Sequence, residues 1–138
     1  MQWDSALPTF RWPVRVYYED TDAGGIVYYA NFLKFFERCR TEWLRALSID
    51  QIRLAADDGL MFVVQELACA YRTPARLDDQ LEVLAQVSRV GGASLTFVQQ
   101  VRRGELLLAS GEVKVACVDA RRMAPARLPA ALLAALAA

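Results

Sequence analysis

The longest regular pattern of apolar and polar positions in the chain lies between residues 29 and 47. Apolar side chains recur there at spacings of three and four, at Tyr29, Phe32, Leu33, Phe36, Cys39, Trp43, Leu44 and Leu47. Charged side chains occupy the opposite side, so the pattern predicts an amphipathic helix that begins near residues 27–30. Phe35 interrupts the polar side, which indicates a helix covered on several sides.

The segments on either side of this helix alternate between apolar and polar positions, as half-buried strands do. One predicted strand, residues 14–20, precedes the helix, and residues 1–11 carry so little signal that we expect them to fray. Four more are predicted at residues 60–73, 81–90, 94–103 and 106–120, with a bulge at Gly111 in the last. A short second helix, residues 51–57, is expected between caps at Ser48 or Asp50 and Gly59, and the tail can form a helical turn or more.

A strand, a long helix and then four strands joined by short turns predict an α+β domain. In such a domain one five-stranded antiparallel sheet curls around the central helix. No internal repeat and no linker interrupts the sequence, so one domain is expected over residues 1–138, with its core at about 13–129.

The composition indicates a soluble, cytoplasmic, self-associating protein. Apolar residues make up 55% of the 138 residues, an excess that most simply means a second buried surface in a homo-oligomer. Sixteen basic and sixteen acidic side chains cancel, which gives no electrostatic case for nucleic-acid or membrane-surface binding. No signal peptide and no apolar run of membrane-spanning length is present, and three isolated cysteines fit a reducing compartment.

Histidine is missing from the sequence, and this restricts the possible chemistry. Serine–histidine and cysteine–histidine catalysis are excluded, and the usual zinc sites are too, so no metal is expected. Any catalysis must therefore rest on carboxylates, hydroxyls, backbone dipoles or arginines.

An acidic pair, Asp20 and Asp22, precedes two glycines, Gly24 and Gly25, just before the predicted helix. The glycines allow positive φ and a close approach to the backbone. The carboxylates can serve catalysis, or they can simply end a strand and accept hydrogen bonds from turn amides.

The segment VYYEDTDAGGIVYYANFLKFFERCRTEWLR, followed by YRTPARLDDQLEV and SLTFVQQ, resembles the hotdog-fold acyl-CoA thioesterases. The similarity is greatest to the branch associated with the bacterial Tol–Pal cluster, which is related to 4-hydroxybenzoyl-CoA thioesterase, and it extends over about residues 14–129. The resemblance implies a hotdog fold, dimers that join two sheets edge to edge and often pair into tetramers, and hydrolysis of an acyl-CoA between subunits. Coenzyme A is then part of the substrate, and no other cofactor is expected.

The resemblance also implies that Asp22 is the catalytic carboxylate, because it stands directly before the small residue and glycine pair. Asp22 can attack the thioester carbonyl or activate water, and both routes stay open. The backbone amide of Tyr29, at the helix N-terminus, is the candidate oxyanion donor. Gly24 and Gly25 leave room for the acyl carbonyl. The branch usually has histidine where Tyr29 stands, whereas the 4-hydroxybenzoyl-CoA branch has tyrosine, so the substrate range stays open.

Candidate substrate-binding residues each have a structural alternative. Asn31 orients the site or faces solvent, and Glu66 enters the partner's pocket or is an edge charge. Arginines can hold the phosphates of coenzyme A or belong to a solvated loop, namely Arg121, Arg122 and Arg127, with Arg72 or Arg89. Three phenylalanines can line an acyl tunnel or fill the core, namely Phe32, Phe35 and Phe36.

Two functions therefore remain open. The first is an acyl-CoA thioesterase that uses Asp22. The second is a non-catalytic hotdog subunit that binds or scaffolds envelope or lipid machinery, which the departure at Tyr29 favours. A hotdog dehydratase is disfavoured because that chemistry normally uses a histidine.

Overall fold

Five long strands form one antiparallel sheet in the order β1-β3-β4-β5-β2. The computed structural model describes residues 3–137. The strands are β1 (Phe10–Arg15), β2 (Leu60–Tyr71), β3 (Gln80–Val90), β4 (Ser94–Arg103) and β5 (Leu106–Asp119), and a two-residue strand, β6 (Ala124–Pro125), pairs with β5. The helix α1 (Asn31–Ala46) packs on β1, β3 and β4. The predicted α+β architecture, one sheet curled around one helix, is confirmed.

The first strand is displaced from its predicted position, and that prediction was wrong. β1 begins at Phe10, which pairs with Ala85 of β3, so residues that were expected to fray belong to the sheet. Residues 1 and 2 of the same segment lie outside the described residues. Val16 is fully buried just after β1, but Tyr18 starts a 3₁₀ turn and is 81% exposed. The apolar alternation therefore ends at Val16, where the chain leaves the sheet to reach the helix.

Helix α1 begins at Asn31, one residue after the predicted window, and it buries the predicted apolar side. The side chains of Phe35, Phe36 and Cys39 have no exposed surface. Burial of one phenylalanine side chain contributes about 1.5–3 kcal/mol. These contacts hold the helix against the sheet and so fix the position of its N-terminus.

Gly111 does not form a bulge, contrary to the prediction. It pairs regularly with Cys69 on one side and Gln99 on the other, while register shifts occur elsewhere, for example between Val64 and Glu66. A Cβ at Gly111 would lie 2.7 Å from Cε2 of Phe36. The glycine is needed because the helix side chain packs directly on the strand backbone.

The predicted second helix is present as α2 (Gln51–Arg53), which continues in a π-helical turn, Leu54–Asp58. Asp50 caps it, since its carboxylate accepts hydrogen bonds from two backbone amides of α2, and Gly59 ends it at φ 65°. The tail forms α3 (Ala130–Ala137). Within residues 3–137, no helix combines the length and apolar character that a membrane crossing requires.

Candidate active site

Asp22 stands at the tip of a closed loop between β1 and α1. The Asp22 amide donates to the carbonyl of Ile26 at 2.9 Å, and the Gly25 amide donates to the carbonyl of Asp22 at 3.0 Å. Thr21 and Val27 pair across the base of the loop, and the Val27 amide donates to the carbonyl of Ala75 at 2.8 Å. These bonds define the loop conformation and leave the Asp22 side chain exposed.

Both glycines of the loop have an identifiable role. Oδ1 of Asp22 accepts a hydrogen bond from the Gly24 amide at 2.8 Å, and a Cβ at Gly24 would lie 3.2 Å from that oxygen. Gly25 adopts φ 76°, which a residue with a side chain rarely tolerates. Gly24 therefore permits the contact with the carboxylate, and Gly25 permits the turn.

The carbonyl of Asp20 ties this loop to the first turn of α1. It accepts hydrogen bonds from the Tyr28 amide at 3.0 Å and from Nδ2 of Asn31 at 2.8 Å. Asp20 and Asn31 are only 5% and 8% exposed. The Asp20 carboxylate accepts from the Tyr17 amide at 2.9 Å. Asn31 thus faces the loop rather than solvent, and its side-chain Nδ2 is bound to the Asp20 carbonyl.

The N-terminus of α1 offers unoccupied N–H groups. The amides of Asn31, Phe32 and Leu33 donate to carbonyls three residues earlier. Among the described residues, the amides of Tyr29 and Ala30 have no hydrogen-bond acceptor. No side chain caps the helix, and its first turn holds no acidic residue. Because a helix N-terminus carries partial positive charge, this position favours a developing oxyanion.

Exposed aromatic rings surround these amides. Tyr29 is 58% exposed, and its ring lies 5.7 Å from that of Tyr71, edge to face, and 4.8 Å from that of Tyr28. The pKa of Tyr28 is raised by its interaction with the Tyr29 hydroxyl and, more weakly, by the charge of Asp22. Burial, followed by contact with Cys69, raises the pKa of Tyr71 to about 12. Both hydroxyls therefore stay protonated at neutral pH.

The other predicted residues lie on β2, just after β2, and after the end of β5. Glu66 and Arg72, on and just after β2, are exposed on the sheet edge. Arg121 and Arg122 follow β5, and their amides donate to the Asp119 carboxylate, which lowers its pKa. Tyr71 pairs with Ala109, whereas Leu60 pairs with Asp119, at the other end of the same ladder. At 3.3 Å per residue the two ends are about 33 Å apart, so one chain does not bring these arginines to Asp22.

The remaining candidates are mostly structural or exposed. Arg89 and Arg127 are exposed. Phe32, Phe35 and Phe36 are all buried in the core, and Phe36 also lines a cavity beside α1.

Two residues of the site region escaped sequence reasoning, namely the buried Asp20 as a carbonyl anchor and the buried Arg40. Arg40 is 9% exposed, and its Nη1 donates to Oε1 of Gln99 at 2.9 Å. The sequence could have predicted the burial of Arg40, because it lies four residues from both Phe36 and Leu44 on the apolar side of α1.

The fold is the hotdog fold, one antiparallel sheet curled around a long helix. Residues 16–136 match the Thioesterase-like superfamily. The acyl-CoA thioesterase YbgC of Haemophilus influenzae is 52% identical over 120 residues, which cover 87% of this chain and 88% of that protein. The acyl-CoA thioester hydrolase YbgC of Escherichia coli O6:H1 is 48% identical over 126 residues, which cover 91% of this chain and 93% of that protein.

A solved structure agrees with these sequences. The probable thioesterase from Bartonella henselae superposes with a TM-score of 0.85 at 35% identity, covering 88% of this chain and 100% of that one. The chain therefore belongs to the thioesterase-like superfamily, and the resemblance drawn from its sequence is confirmed at that level.

Proposed function

We propose that the protein hydrolyses an acyl-CoA thioester to a carboxylic acid and coenzyme A. The observation that carries this proposal is the position of the exposed Asp22 carboxylate. It lies in a loop that Asn31 bonds to the first turn of α1, where the amides of Tyr29 and Ala30 have no acceptor among the described residues. Two YbgC relatives that carry the name of this activity cover most of the chain, which supports it.

The geometry suggests how the chain divides the work. The thioester oxygen, on which negative charge develops, accepts hydrogen bonds from the amides at the α1 N-terminus, and one such donor typically contributes about 10²–10³ in rate. Asp22 either attacks the carbonyl carbon, and water then hydrolyses the acyl anhydride to free the acid and restore the carboxylate, or it removes a proton from a water that attacks the carbonyl carbon directly. The carbon–sulfur bond breaks and the electron pair leaves with coenzyme A as a thiolate. Thiol pKa values near about 8.5 make this a stable leaving group, so no strong general acid is required.

Thiol catalysis has little support. Cys39 is buried and burial raises its pKa to about 12, and burial also raises the pKa of Cys69 and of Cys117. Thiolates, not thiols, are nucleophilic. The carboxylate is the better candidate.

We further propose that the working unit is a homo-oligomer in which two β2 strands pair antiparallel. β2 is a free edge of the sheet and exposes Val64, Leu67 and Tyr71 by 51%, 43% and 43%. In such a pair, the start of β2 in one copy lies next to the end of β2 in the other copy. The Arg121–Arg122 turn of the first copy would then lie beside the Asp22 loop of the second. In this proposed arrangement, arginines of a second copy bind the coenzyme A phosphates.

Mixing two inactive variants tests the arrangement. Chains with Asp22→Asn and chains with both Arg121→Ala and Arg122→Ala should regain activity when unfolded and refolded together, because one site of each mixed dimer is then intact. If the arginines served their own chain, the mixture would stay as inactive as its parts.

We also propose a cytoplasmic location, which the unpaired cysteines favour. An association with the bacterial Tol–Pal cluster is implied by the branch of thioesterases that the sequence resembles. An acyl-CoA panel of varied chain length and aromaticity, followed by thiol release, tests the activity. Turnover of at least one member is expected. No turnover of any member would contradict hydrolysis and favour the binding or scaffolding function.

A further inference from the structure

The β2–β3 turn, residues 72–79, supports the base of the Asp22 loop. The carbonyl of Ala75 accepts a hydrogen bond from the Val27 amide at 2.8 Å, and neither residue is more than 3% exposed. A buried backbone hydrogen bond is costly to break, because the freed N–H and C=O groups find no replacement partner. The turn and the base of the loop therefore move together.

The next residue of the turn, Arg76, extends this contact towards Asp22. Arg76 forms an antiparallel bridge with Ile26, and the Ile26 carbonyl accepts a hydrogen bond from the Asp22 amide at 2.9 Å. One residue of the loop thus separates the turn from the residue that carries the proposed catalytic carboxylate. A displacement of Arg76 is therefore transmitted to Asp22.

An ion pair with β4 holds the turn in place. Nη1 of Arg103, the last residue of β4, donates to Oδ2 of Asp79 at 2.7 Å and to the carbonyl of Pro74 at 3.4 Å. The same Oδ2 accepts a hydrogen bond from the Arg76 amide at 2.9 Å. One carboxylate oxygen thus links a side chain of β4 to the residue that bridges Ile26.

The pair of Arg103 and Asp79 is better enclosed than a comparable pair elsewhere on the sheet. The two side chains are 35% and 23% exposed, against 59% and 44% for Arg11 and Glu82, which pair between β1 and β3. The Arg76 amide and the Arg103 guanidinium outweigh the effect of burial and bring the pKa of Asp79 below its ordinary value, so the carboxylate is ionised at neutral pH. Because charge-assisted hydrogen bonds from arginine are directional, this pair sets a position.

We propose that Arg103 is a positioning residue for the proposed hydrolysis, and that it holds Asp22 in its working position through Asp79 and the β2–β3 turn. The path has three links: the ion pair, the bridge between Arg76 and Ile26, and the hydrogen bond from the Asp22 amide. All three links lie within one chain, so they do not depend on how two copies pair. This inference rests on the proposed thioesterase function and adds a residue outside the Asp22 loop to it.

Steady-state hydrolysis by Arg103→Met, with an acyl-CoA that the wild type hydrolyses, tests this role. A partly exposed ion pair adds little to stability, so the variant should stay folded in urea unfolding. We expect kcat to fall by about tenfold, because a misplacement of about 1 Å can cost about 10²-fold and a smaller one is expected here. KM should change by less than about twofold, since no substrate-binding group is removed. Arg11→Met removes the comparable ion pair with Glu82, at 2.6 Å, and should leave kcat unchanged.

A double variant distinguishes positioning from a general structural effect. In the Asp22→Asn background, Arg103→Met should lower the residual kcat by less than about twofold, because the effects of residues that act as a unit do not add. A further tenfold loss in that background would show that Arg103 acts independently of Asp22 and would overturn the inference. Asp79→Asn weakens the same ion pair from its other side and decides the question if Arg103→Met does not fold. It should lower kcat less than Arg103→Met, because neutral hydrogen bonds are about half as strong as charged ones.

The outcomes separate this inference from the proposed function. Wild-type hydrolysis together with an unchanged kcat in Arg103→Met and Asp79→Asn would overturn the positioning role and leave the proposed function standing. No hydrolysis of any acyl-CoA by the wild type would remove both.

Discussion

Substitution of Gly111 by alanine probes the contact that holds α1 on the sheet. Gly111 is buried in β5, and a Cβ there would lie 2.7, 3.2 and 3.3 Å from three carbons of the Phe36 ring. Carbon atoms in favourable contact are about 3.5–4.0 Å apart. Phe36 has no exposed surface, so its ring has little room to move away.

Two opposing effects decide whether Gly111→Ala lowers or raises the free energy of unfolding. Alanine favours the extended strand over glycine by about 0.5–1 kcal/mol. Overpacking of a filled core costs about 1–3 kcal/mol. The clash outweighs the gain, and we expect Gly111→Ala to lose about 1 kcal/mol of unfolding free energy, or about 4 °C in Tm for a chain of this size.

Gly92→Ala is the matched control for this measurement. A Cβ at Gly92 has no atom within 4 Å, and its φ lies outside the left-handed region. That substitution should be neutral or stabilise by about 0.4–1 kcal/mol, because it restricts the unfolded chain. Urea and thermal unfolding of both variants compare the two. Equal stability of Gly111→Ala and Gly92→Ala would refute the tight contact with Phe36.

Two further substitutions test the loop and a surface ion pair. Asn31→Ala removes one of the two hydrogen bonds to the Asp20 carbonyl and should cost about 1 kcal/mol of stability. It should lower kcat by more than about tenfold with little change in KM, because small misplacements of catalytic groups are costly; an unchanged kcat would remove the positioning role. Burial tends to raise the pKa of Asp79, but hydrogen bonds from the Arg76 amide and the Arg103 side chain bring the pKa below its ordinary value. The stability that this carboxylate contributes is therefore present above the unfolded pKa near about 3.9 and is lost as the pH falls through the lower folded pKa. Asp79→Asn should be less stable than wild type at pH 7 in urea unfolding and should approach it near pH 3, whereas a constant difference would contradict the shift.

Local pattern predicted the central helix well because one face of it is buried along its whole length. The predicted strand at residues 14–20 failed because Tyr17 and Tyr18 continue the strand-like alternation although Tyr18 faces solvent. Gly111 was misinterpreted because a glycine inside a strand signals either a bulge or a close neighbour. Only the packing of Phe36 distinguishes the two.

The candidate site was likewise predictable from the sequence only in part. The position of Asp22 before the glycines was evident from the sequence, as was the nearby helix N-terminus. The bond from Asn31 to Asp20 joins residues 11 apart in sequence and becomes visible only when the loop folds back on the helix. The separation of Arg121 and Arg122 from Asp22 depends on the strand order, which alternation does not specify.

Turnover by the Asp22→Asn variant tests the proposed chemistry most directly. The assay follows release of coenzyme A from an acyl-CoA that the wild type hydrolyses, with Asp57→Asn, an exposed carboxylate in the turn after α2, as the control. We expect kcat/KM of Asp22→Asn to fall by about 10²–10⁴-fold, the usual contribution of a general base, while the fold and the oligomeric state stay the same. Hydrolysis by Asp22→Asn at close to the wild-type rate would show that this carboxylate does not carry the reaction.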